Sequence, residues 1–385
     1  MTNVLVLSPF FFPEPISTGK YNTIIAKEIS EKVESVDVFC SHPIYPSWKV
    51  EVTSNQLKGV TAIRGGKWLK FPSHALLRRG VLEIWFLFYV FYKLLLTRKK
   101  YSHIVAIFPP SLFMLVVPML SRKSRIIGIV HDLQGVYAKN NSGFIKGLIF
   151  SAIKKVESRA FSCCKTLIFL SSDMKEEAER EYQLGSVKNV VHYPFITIDQ
   201  FRDNAALKNI LPDNKLSLVY SGALGEKQAP ELLIALMNAI VQNNPEINAH
   251  IFSQGPIFEG LKQGNSQINF HGLVDEADLP ELLLRSSIQI LPQAMGTSDG
   301  SLPSKLPNIL ASNCKILCIT DDGSELVKIL KNYSLSEVAT SWDIENLLKL
   351  VEKLLIQKSV EKTDDKLLDM FRKESLVDTI LGGSL

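Results

Sequence analysis

The 385-residue sequence lacks several motifs that identify common nucleotide-binding enzymes. It has no Gly-x-x-x-x-Gly-Lys-Ser/Thr phosphate loop, and no Gly-x-Gly-x-x-Gly follows its first predicted strand. P-loop ATPases and enzymes with the dinucleotide fingerprint are therefore disfavoured. The sequence also has no Asp-x-Asp pair, with which many enzymes hold a divalent metal. Any chemistry on phosphates is therefore expected to be metal-independent, with cationic side chains and helix dipoles stabilising charge.

Cysteine is scarce, and the spacing of the cysteines indicates neither a metal-binding nor a disulfide pattern. The five cysteines make an odd number and contain no Cys-x-x-Cys, so neither a disulfide framework nor a zinc site is indicated. A reducing cytoplasm fits this usage best. The N-terminal segment "MTNVLVLSPFFFPEP" has no basic region and is already strand-like, so we do not expect a cleaved signal peptide.

Charge is unevenly divided along the chain. The net charge is only +4, but residues 1–200 hold 26 Lys and Arg against 15 Asp and Glu, whereas the remainder holds 17 against 24. This asymmetry predicts that the first half faces an anionic partner, either a membrane surface or nucleic acid. The alternative is a surface that is merely unevenly charged.

The length predicts two domains, and the residue pattern predicts their type. Short apolar segments such as "NVLVLS", "HIVAIF" and "RIIGIV" alternate with helical segments, which is typical of parallel strands in a doubly wound sheet. The pattern restarts at "LSLVYSG". The predicted fold class is therefore α/β, with two Rossmann-like doubly wound domains and a cleft between them. Their predicted ranges are 1–200 and 201–365, with 366–385 forming a final helix that packs back on the first domain.

A helix is predicted over residues 81–96, "VLEIWFLFYVFYKLLL", which is apolar on every face. Its 16 residues contain Glu83 and Lys93 and fall short of the ~20 needed to span a bilayer. Basic residues flank it on both sides: Arg78, Arg79, Arg98, Lys99 and Lys100. Two interpretations remain open, a buried helix or a helix whose aromatic face enters the membrane interface. The run from Ile104 to Leu120 contains three prolines and is predicted to be a strand, a turn and a buried helix.

Glycine-rich loops follow four successive strands of the second domain. They are "SGALGEKQ", "SQGP", "HGLVDEADL" and "PQAMGTSDGSLPSK", and all four would open at the same sheet edge. Gly222 and Gly255 allow a ligand close to the backbone, and Lys227 and Lys305 could neutralise a diphosphate. In the first domain, His131 follows a predicted strand directly; the alternative for this histidine is a structural hydrogen bond.

The motifs together resemble those of GT-B glycosyltransferases of family 4, and in particular the subgroup of colanic-acid, O-antigen and capsule transferases. "LVYSGALGEKQAPELL" is similar to the subgroup's "YSGNxGxKQGxE", and "LPSKLPNILAS" to its "PSKLxNxLASG". "HPIYPSW" and "HDL" also occupy matching places. The similarity runs along nearly the whole chain. It implies transfer of a sugar, with retention of anomeric configuration, from a nucleotide diphosphate donor held by the C-terminal domain.

The resemblance also implies roles for individual residues. Gly19 would lie beside the donor diphosphate, Lys227 would pair with it, and His131 would face the transferred sugar or the acceptor. The backbone around Gly272, Leu273 and Val274 would hold the base. The loop from Ser301 to Lys305 would cradle the phosphates.

The sequence departs from the family at two glutamates that most members carry with seven residues between them. Their places hold Gly300 and Asn308, with Asp299 one residue away from the first. The subgroup shares the second change, so we expect the amide of Asn308 to meet the ribose hydroxyls without charge. The contact with the transferred sugar is expected to be made either by Asp299 or by a backbone group. Ala223 also replaces the usual arginine of the phosphate loop.

We therefore expect a cytoplasmic enzyme at the inner face of the cell membrane, with a nucleotide-sugar donor, a lipid-diphosphate-linked saccharide acceptor, no cofactor and no nucleic-acid partner. Two alternatives remain open. One is a degenerate, non-catalytic scaffold, suggested by the altered glutamate positions and Ala223. The other is a sugar-nucleotide epimerase or hydrolase.

Overall fold

The computed structural model describes residues 2–14, 16–45, 47–134, 144–198, 203–298, 302–357 and 363–382. The chain forms two compact units, the first made of Met1–His192 with Lys373–Leu385 and the second of Tyr193–Arg372. Each unit contains one sheet of parallel strands with helices between them. The predicted α/β class with two doubly wound domains is confirmed.

The first unit has a seven-stranded sheet in the order β3-β2-β1-β4-β5-β6-β7. The strands are β1 Asn3–Leu7, β2 Ser35–Ser41, β3 Val60–Gly65, β4 His103–Phe108, β5 Arg125–Val130, β6 Thr166–Phe169 and β7 Lys188–Val191. The helices between them are α1 Ser17–Ser30, α2 Ala75–Leu96, α3 Val117–Leu120, α4 Phe144–Ser162 and α5 Ser172–Glu181, with a 3₁₀ turn at Leu112–Leu115. The central strands β1 and β4 are buried almost completely, because helices cover both faces of a parallel sheet.

The second unit has a six-stranded sheet in the order β10-β9-β8-β11-β12-β13. The strands are β8 Leu216–Ser221, β9 Ile247–Phe252, β10 Ile268–His271, β11 Ile288–Pro292, β12 Lys315–Ile319 and β13 Ser336–Ala339. The helices are α6 Ala205–Ile210, α7 Pro230–Asn243, α8 Pro256–Lys262, α9 Leu279–Arg285, α10 Leu306–Ala311, α11 Glu325–Leu330, α12 Ile344–Ile356 and α13 Asp365–Asp369, with 3₁₀ turns at Glu226–Gln228 and Glu276–Asp278. The strand order reverses between β8 and β11, where ligands bind in open α/β sheets.

Three strands were not expected from the sequence: β3, β7 and β13. Each lies at an edge of its sheet. Their residues are only partly buried, with burial highest at Val60, Ala62 and Ala339. An edge strand needs no long apolar run because part of its surface meets water, so its sequence carries a weak signal.

Helix α2 is longer than the predicted 81–96, and it is buried on one face only. One face is buried by Leu82, Trp85, Phe86, Tyr89, Val90 and Leu94. The opposite face is exposed, and Phe88 retains 64% of its accessible surface. Among the described residues, none of the helices reaches the length and apolar character required to cross a membrane.

The polar residue Glu83 in this apolar helix caps the 3₁₀ turn at Leu112–Leu115. Its carboxylate accepts hydrogen bonds from the backbone N–H groups of Ser111 and Leu112 at 2.9 Å. Burial raises the pKa of Glu83, and these N–H donors oppose that rise. The strand and turn expected over 104–120 are present, but helix α3 is not fully buried, since Met119 is 67% exposed. The C-terminal end of this helix lies at the protein surface.

The last helix, α14 Lys373–Leu381, lies in the first unit. Lys373 pairs with Glu28 of α1 at 2.6 Å, and Lys32 pairs with Asp378 at 2.8 Å. The chain leaves the first unit after His192 and returns at Lys373, a few residues from the expected positions 200 and 366. These crossings place all the predicted donor loops in one unit.

Candidate functional site

The loops after β8, β9 and β11 lie side by side at the carboxyl edge of the second sheet. The backbone N–H of Gly222 donates to the carbonyl of Phe252 at 3.0 Å. The N–H of Ala294 donates to the carbonyl of Lys227 at 2.8 Å. The first bond extends the β8–β9 ladder to Gly222, and the second joins the loops after β8 and β11. These bonds hold the edge in one arrangement, which is a requirement for a preorganised binding site.

Lys305 lies at this edge, directly before helix α10. Its ammonium donates to the carbonyl of Ser221 at 3.1 Å and lies 4.0 Å from the centroid of the Tyr220 ring. Burial lowers the pKa of Lys305 to about 7, and the Cys318 thiol acts weakly in the opposite direction. A buried cation whose pKa is lowered by desolvation is poorly compensated by its own protein, so an anion placed beside it would be stabilised.

Gly222 and Lys227 belong to the loop that follows β8. Gly222 has φ +126°, which side chains rarely adopt, and a Cβ there would lie 4.0 Å from the Lys305 ammonium. The backbone at Gly222 therefore passes close to Lys305 with no side chain between them. Lys227 is exposed on a 3₁₀ turn that is stabilised by the Gln228 side chain, which accepts from the N–H of Gly225 at 2.9 Å.

The loop after β11 is held by a residue that the sequence interpretation missed. The carboxylate of Asp321 accepts the N–H of Gly296 at 2.7 Å and that of Ser298 at 3.1 Å. Burial alone would raise the pKa of Asp321, but these donors lower it overall. Asp321 follows β12, the parallel neighbour of β11, so its place after a strand was the available signal. Asp299, Gly300 and Ser301, which come next in this loop, lie outside the described residues.

Asn308 is 6% exposed and holds its own unit together. Its side-chain oxygen accepts the backbone N–H of Thr197 at 2.8 Å, and its NH₂ group donates to the Thr197 hydroxyl at 2.9 Å. The sequence did not indicate this contact, because the two residues lie 111 positions apart. The ribose contact expected for Asn308 stays a prediction.

The remaining predicted donor residues lie after β9 and β10. Gly255 has φ +104° at the start of α8, and Cβ atoms placed on Gly255 or Gly272 would meet nothing within 4 Å. Val274 is half-buried against a small apolar cluster. Beside them the His271 ring stacks on the buried Phe252 ring with centroids 4.5 Å apart, a contact that was not expected.

In the first unit, His131 follows β5 as expected. Its backbone N–H donates to the Phe108 carbonyl at 2.9 Å, and its ring meets Tyr21 edge-on with centroids 5.0 Å apart. Burial lowers the pKa of His131 to about 4, so the imidazole is neutral near pH 7. Among the described residues, no hydrogen-bond partner is found for its buried Nε2. The hydrogen-bonding capacity of this nitrogen is therefore unused within the described part of the chain.

Gly19, near the start of α1, has a packing reason to lack a side chain. A Cβ there would lie 2.9 Å from the Cβ of Glu14. Glu14 is itself buried, and its carboxylate accepts the N–H groups of Ile44 and Tyr45 at 2.9 and 2.8 Å. Burial raises the pKa of Glu14, and the two donors oppose that rise. The diphosphate contact expected of Gly19 is not decided by this packing.

Within the described part of the chain, no three His, Cys, Asp or Glu side chains converge in a way that could hold a metal ion.

No family model matches the chain. It is 24% identical over 357 residues to the putative colanic acid biosynthesis glycosyl transferase WcaI of Escherichia coli (strain K12), covering 86% of each chain. The resemblance to colanic-acid transferases that the motifs indicated is thereby confirmed.

Solved structures with the same fold include sucrose-phosphate synthase from Thermosynechococcus elongatus, with a TM-score of 0.74 and 14% identity over 99% of this chain and 98% of that one. WaaG, a glycosyltransferase involved in lipopolysaccharide biosynthesis, has a TM-score of 0.70 and 14% identity over 99% of this chain and 100% of that one. The chain therefore has the GT-B fold.

Proposed function

We propose that the protein is a retaining glycosyltransferase that moves a sugar from a nucleotide diphosphate sugar to a lipid-linked saccharide in cell-surface polysaccharide biosynthesis. The observation that carries this proposal is the poorly compensated Lys305 ammonium at the switch point of the second sheet, beside the open backbone of Gly222. A diphosphate supplies the missing negative charge. The likeness to WcaI supports the same reaction class.

In the proposed reaction, the acceptor hydroxyl attacks the anomeric carbon from the face that the diphosphate leaves. The bond from that carbon to the diphosphate oxygen breaks while the new glycosidic bond forms, and the hydroxyl proton passes to the departing diphosphate. Lys305, Lys227 and backbone N–H groups stabilise the charge that develops on the leaving group. No protein nucleophile and no metal take part.

His131 is proposed to meet the transferred sugar or the acceptor. A neutral imidazole with a buried, unpaired nitrogen can accept or donate one hydrogen bond to a sugar hydroxyl. Asp299 and Ser301 are retained in the proposal on the family resemblance alone, as contacts to the sugar and the phosphates. Gly255, Gly272 and Val274 would border the base.

The exposed face of α2 is proposed to rest on the membrane surface. Its large apolar side chains include Leu77, Ile84, Phe88, Phe91, Tyr92, Leu95 and Leu96. The exposed cations Arg79, Arg98 and Lys100 flank it. An apolar helix face with cationic ends suits the interface of an anionic membrane, where it would bring the enzyme to a lipid-linked acceptor.

Thermal unfolding with a panel of UDP- and GDP-sugars tests the donor site, because a bound donor raises the apparent stability with its affinity. We expect one sugar nucleotide to stabilise the protein. Absence of stabilisation by any of them would favour the non-catalytic scaffold. Release of free sugar or an altered sugar nucleotide without acceptor would instead favour the hydrolase or epimerase.

Lys227→Ala should then lower turnover with the selected donor by about two orders of magnitude or more, since a charge contact made in the transition state is lost. Lys262→Ala, also exposed in the second unit, is the control. Near-normal turnover of Lys227→Ala would remove Lys227 from the mechanism.

A further inference from the structure

An open groove of about 690 Å³ lies at the amino ends of β5 and β6 in the first unit. Its wall includes four cationic residues: Arg122, Lys123, Arg125 and Lys165. The other lining residues are apolar or neutral, and none of them is a carboxylate. The volume lies in the range of small-molecule sites, which run from about 300 to 1,000 Å³.

Within the described residues, the cations of this groove have no acidic side chain paired with them. The Nε of Arg125 is buried and has no hydrogen-bond partner among the described residues. Four cations around one groove repel each other, and an anion within it would relieve that repulsion.

The groove is separate from the candidate site of the same unit. Arg125 begins β5, whereas His131 follows the end of that strand. Six residues of extended chain span about 20 Å, so a ligand in the groove lies at the opposite edge of the sheet from His131. Any ligand of the groove would therefore be distinct from the reacting groups.

The groove continues into the exposed apolar surface of the first unit. Pro118 lines it and belongs to α3, whose neighbouring side chains Met119 and Leu120 are exposed. Helix α3 packs against α2, the helix with the exposed aromatic face. A ligand here would thus have its charged part among cations and its remainder beside apolar side chains.

We propose that this groove binds the phosphate-containing headgroup of an anionic phospholipid, with the acyl chains directed toward Met119 and Leu120. This inference rests on the membrane-surface part of the proposed function and adds a specific lipid class to it. Phosphate is favoured as the anion because arginine and lysine both bind it through charge-assisted hydrogen bonds. A nucleic-acid backbone is disfavoured because exposed apolar side chains border the groove.

Vesicle sedimentation with the full chain tests the proposal. The vesicles are pure phosphatidylcholine, or phosphatidylcholine with a third of phosphatidylglycerol, and the groove variant is Lys123→Ser with Lys165→Ser. The matched control, Lys208→Ser with Lys262→Ser, removes the same charge from exposed positions of the second unit. Each groove cation near a lipid surface contributes several-fold to binding. We therefore expect the groove variant to bind anionic vesicles at least tenfold more weakly than the wild type and the control.

A second measurement locates the lipid. Cys163 lines the groove and is partly exposed, whereas the other four cysteines are buried. Anionic vesicles should slow the reaction of Cys163 with a thiol reagent by about tenfold or more, neutral vesicles should slow it less, and Cys163→Ser identifies the signal.

Each other outcome would overturn the proposal in a recognisable way. Equal weakening in groove and control variants would show unspecific attraction of charge. Inorganic phosphate is the probe for a free-anion site. Such a site would be identified if phosphate protected Cys163 as strongly as vesicles do and stabilised the wild type but not the groove variant. Loss of binding to neutral vesicles as well would point to damage of the α2 face. Donor stabilisation and turnover are measured separately, so failure of the groove leaves the transferase proposal standing.

Discussion

The ammonium of Lys305 lies 4.0 Å from the centroid of the Tyr220 ring, a separation at which the ring face attracts a cation. The surrounding groups include the Ser221 carbonyl and the Cys318 thiol, whose pKa is raised by burial. The tyrosine hydroxyl, also with a raised pKa, donates to the Ala223 carbonyl. Among these three side chains, Lys305 is thus the one that changes charge near neutral pH.

Donor affinity should consequently depend on pH. Because the pKa of Lys305 is about 7 without ligand, the ammonium is lost as the pH rises above 7, and binding should weaken by up to about tenfold per pH unit. Calorimetric titration of the selected sugar nucleotide between pH 6 and 8.5 measures this, since its diphosphate does not titrate there. The Lys305→Met variant should bind more weakly without this slope, and an unchanged slope would assign the titration elsewhere.

The same pKa has a consequence for folding. An unfolded lysine keeps its proton to about pH 10.4, whereas the folded one releases it near pH 7. Between these values the unfolded state binds more protons, so the contribution of Lys305 to the free energy of unfolding rises with pH. Urea unfolding at pH 7 and pH 9.5 should show this increase in the wild type, and a smaller one in Lys305→Met.

Replacing Asp321 by alanine should weaken donor binding by about tenfold or more, because the N–H groups of Gly296 and Ser298 lose their acceptor. The loop that leads toward Lys305 would then be less ordered. Asp322→Ala removes an exposed neighbouring carboxylate and should bind the donor normally. Equal affinities of the two variants would contradict the role of Asp321, and limited proteolysis of this loop gives an independent measurement.

The contribution of the Asp321 carboxylate to the free energy of unfolding should persist in moderate acid. Its pKa lies below the usual value, so the carboxylate contribution is fully present above about pH 3.9 and is lost only as the pH falls below it.

The Asn308→Ala variant should lower the free energy of unfolding by about 1–3 kcal/mol, because the Thr197 N–H is left without its acceptor. Thr197→Val removes only the hydroxyl partner and should cost less. Urea unfolding measures both. Donor affinity of the folded variants separates the two roles of Asn308, since a ribose contact predicts weaker binding in Asn308→Ala and normal binding in Thr197→Val.

Phe86 and Phe88 provide a matched test of the α2 surface, because Phe86 is 0% exposed and Phe88 is 64% exposed. Phe88→Ser should reduce binding to vesicles about tenfold and change stability little, since it removes apolar surface that faces solvent. Phe86→Ala should lower the free energy of unfolding by about 3–5 kcal/mol, as expected for a buried phenylalanine. Normal vesicle binding by Phe88→Ser would exclude this face from the membrane contact.

The central strands of both sheets were predictable from the sequence because burial on both faces requires continuous apolar runs such as "HIVAIF" and "KILCI". The order of the glycine-bearing loops after these strands was likewise readable, because parallel strands bring their carboxyl ends to one edge. The edge strand Ser336–Ala339 was not predictable, since it lacks such a run.

Local sequence alone therefore determined the fold class, the helix with its apolar surface and the edge where the glycine-bearing loops of the second sheet gather. Only the tertiary structure decided what individual side chains do there. Asp321, which follows one strand, accepts a hydrogen bond from the loop after the neighbouring strand. Asn308 forms a hydrogen bond with Thr197, which is 111 positions away. Hydrogen bonding and desolvation depend on distance in space, so the buried charge of Lys305 and the cationic groove around Arg125 exist only once the chain is folded.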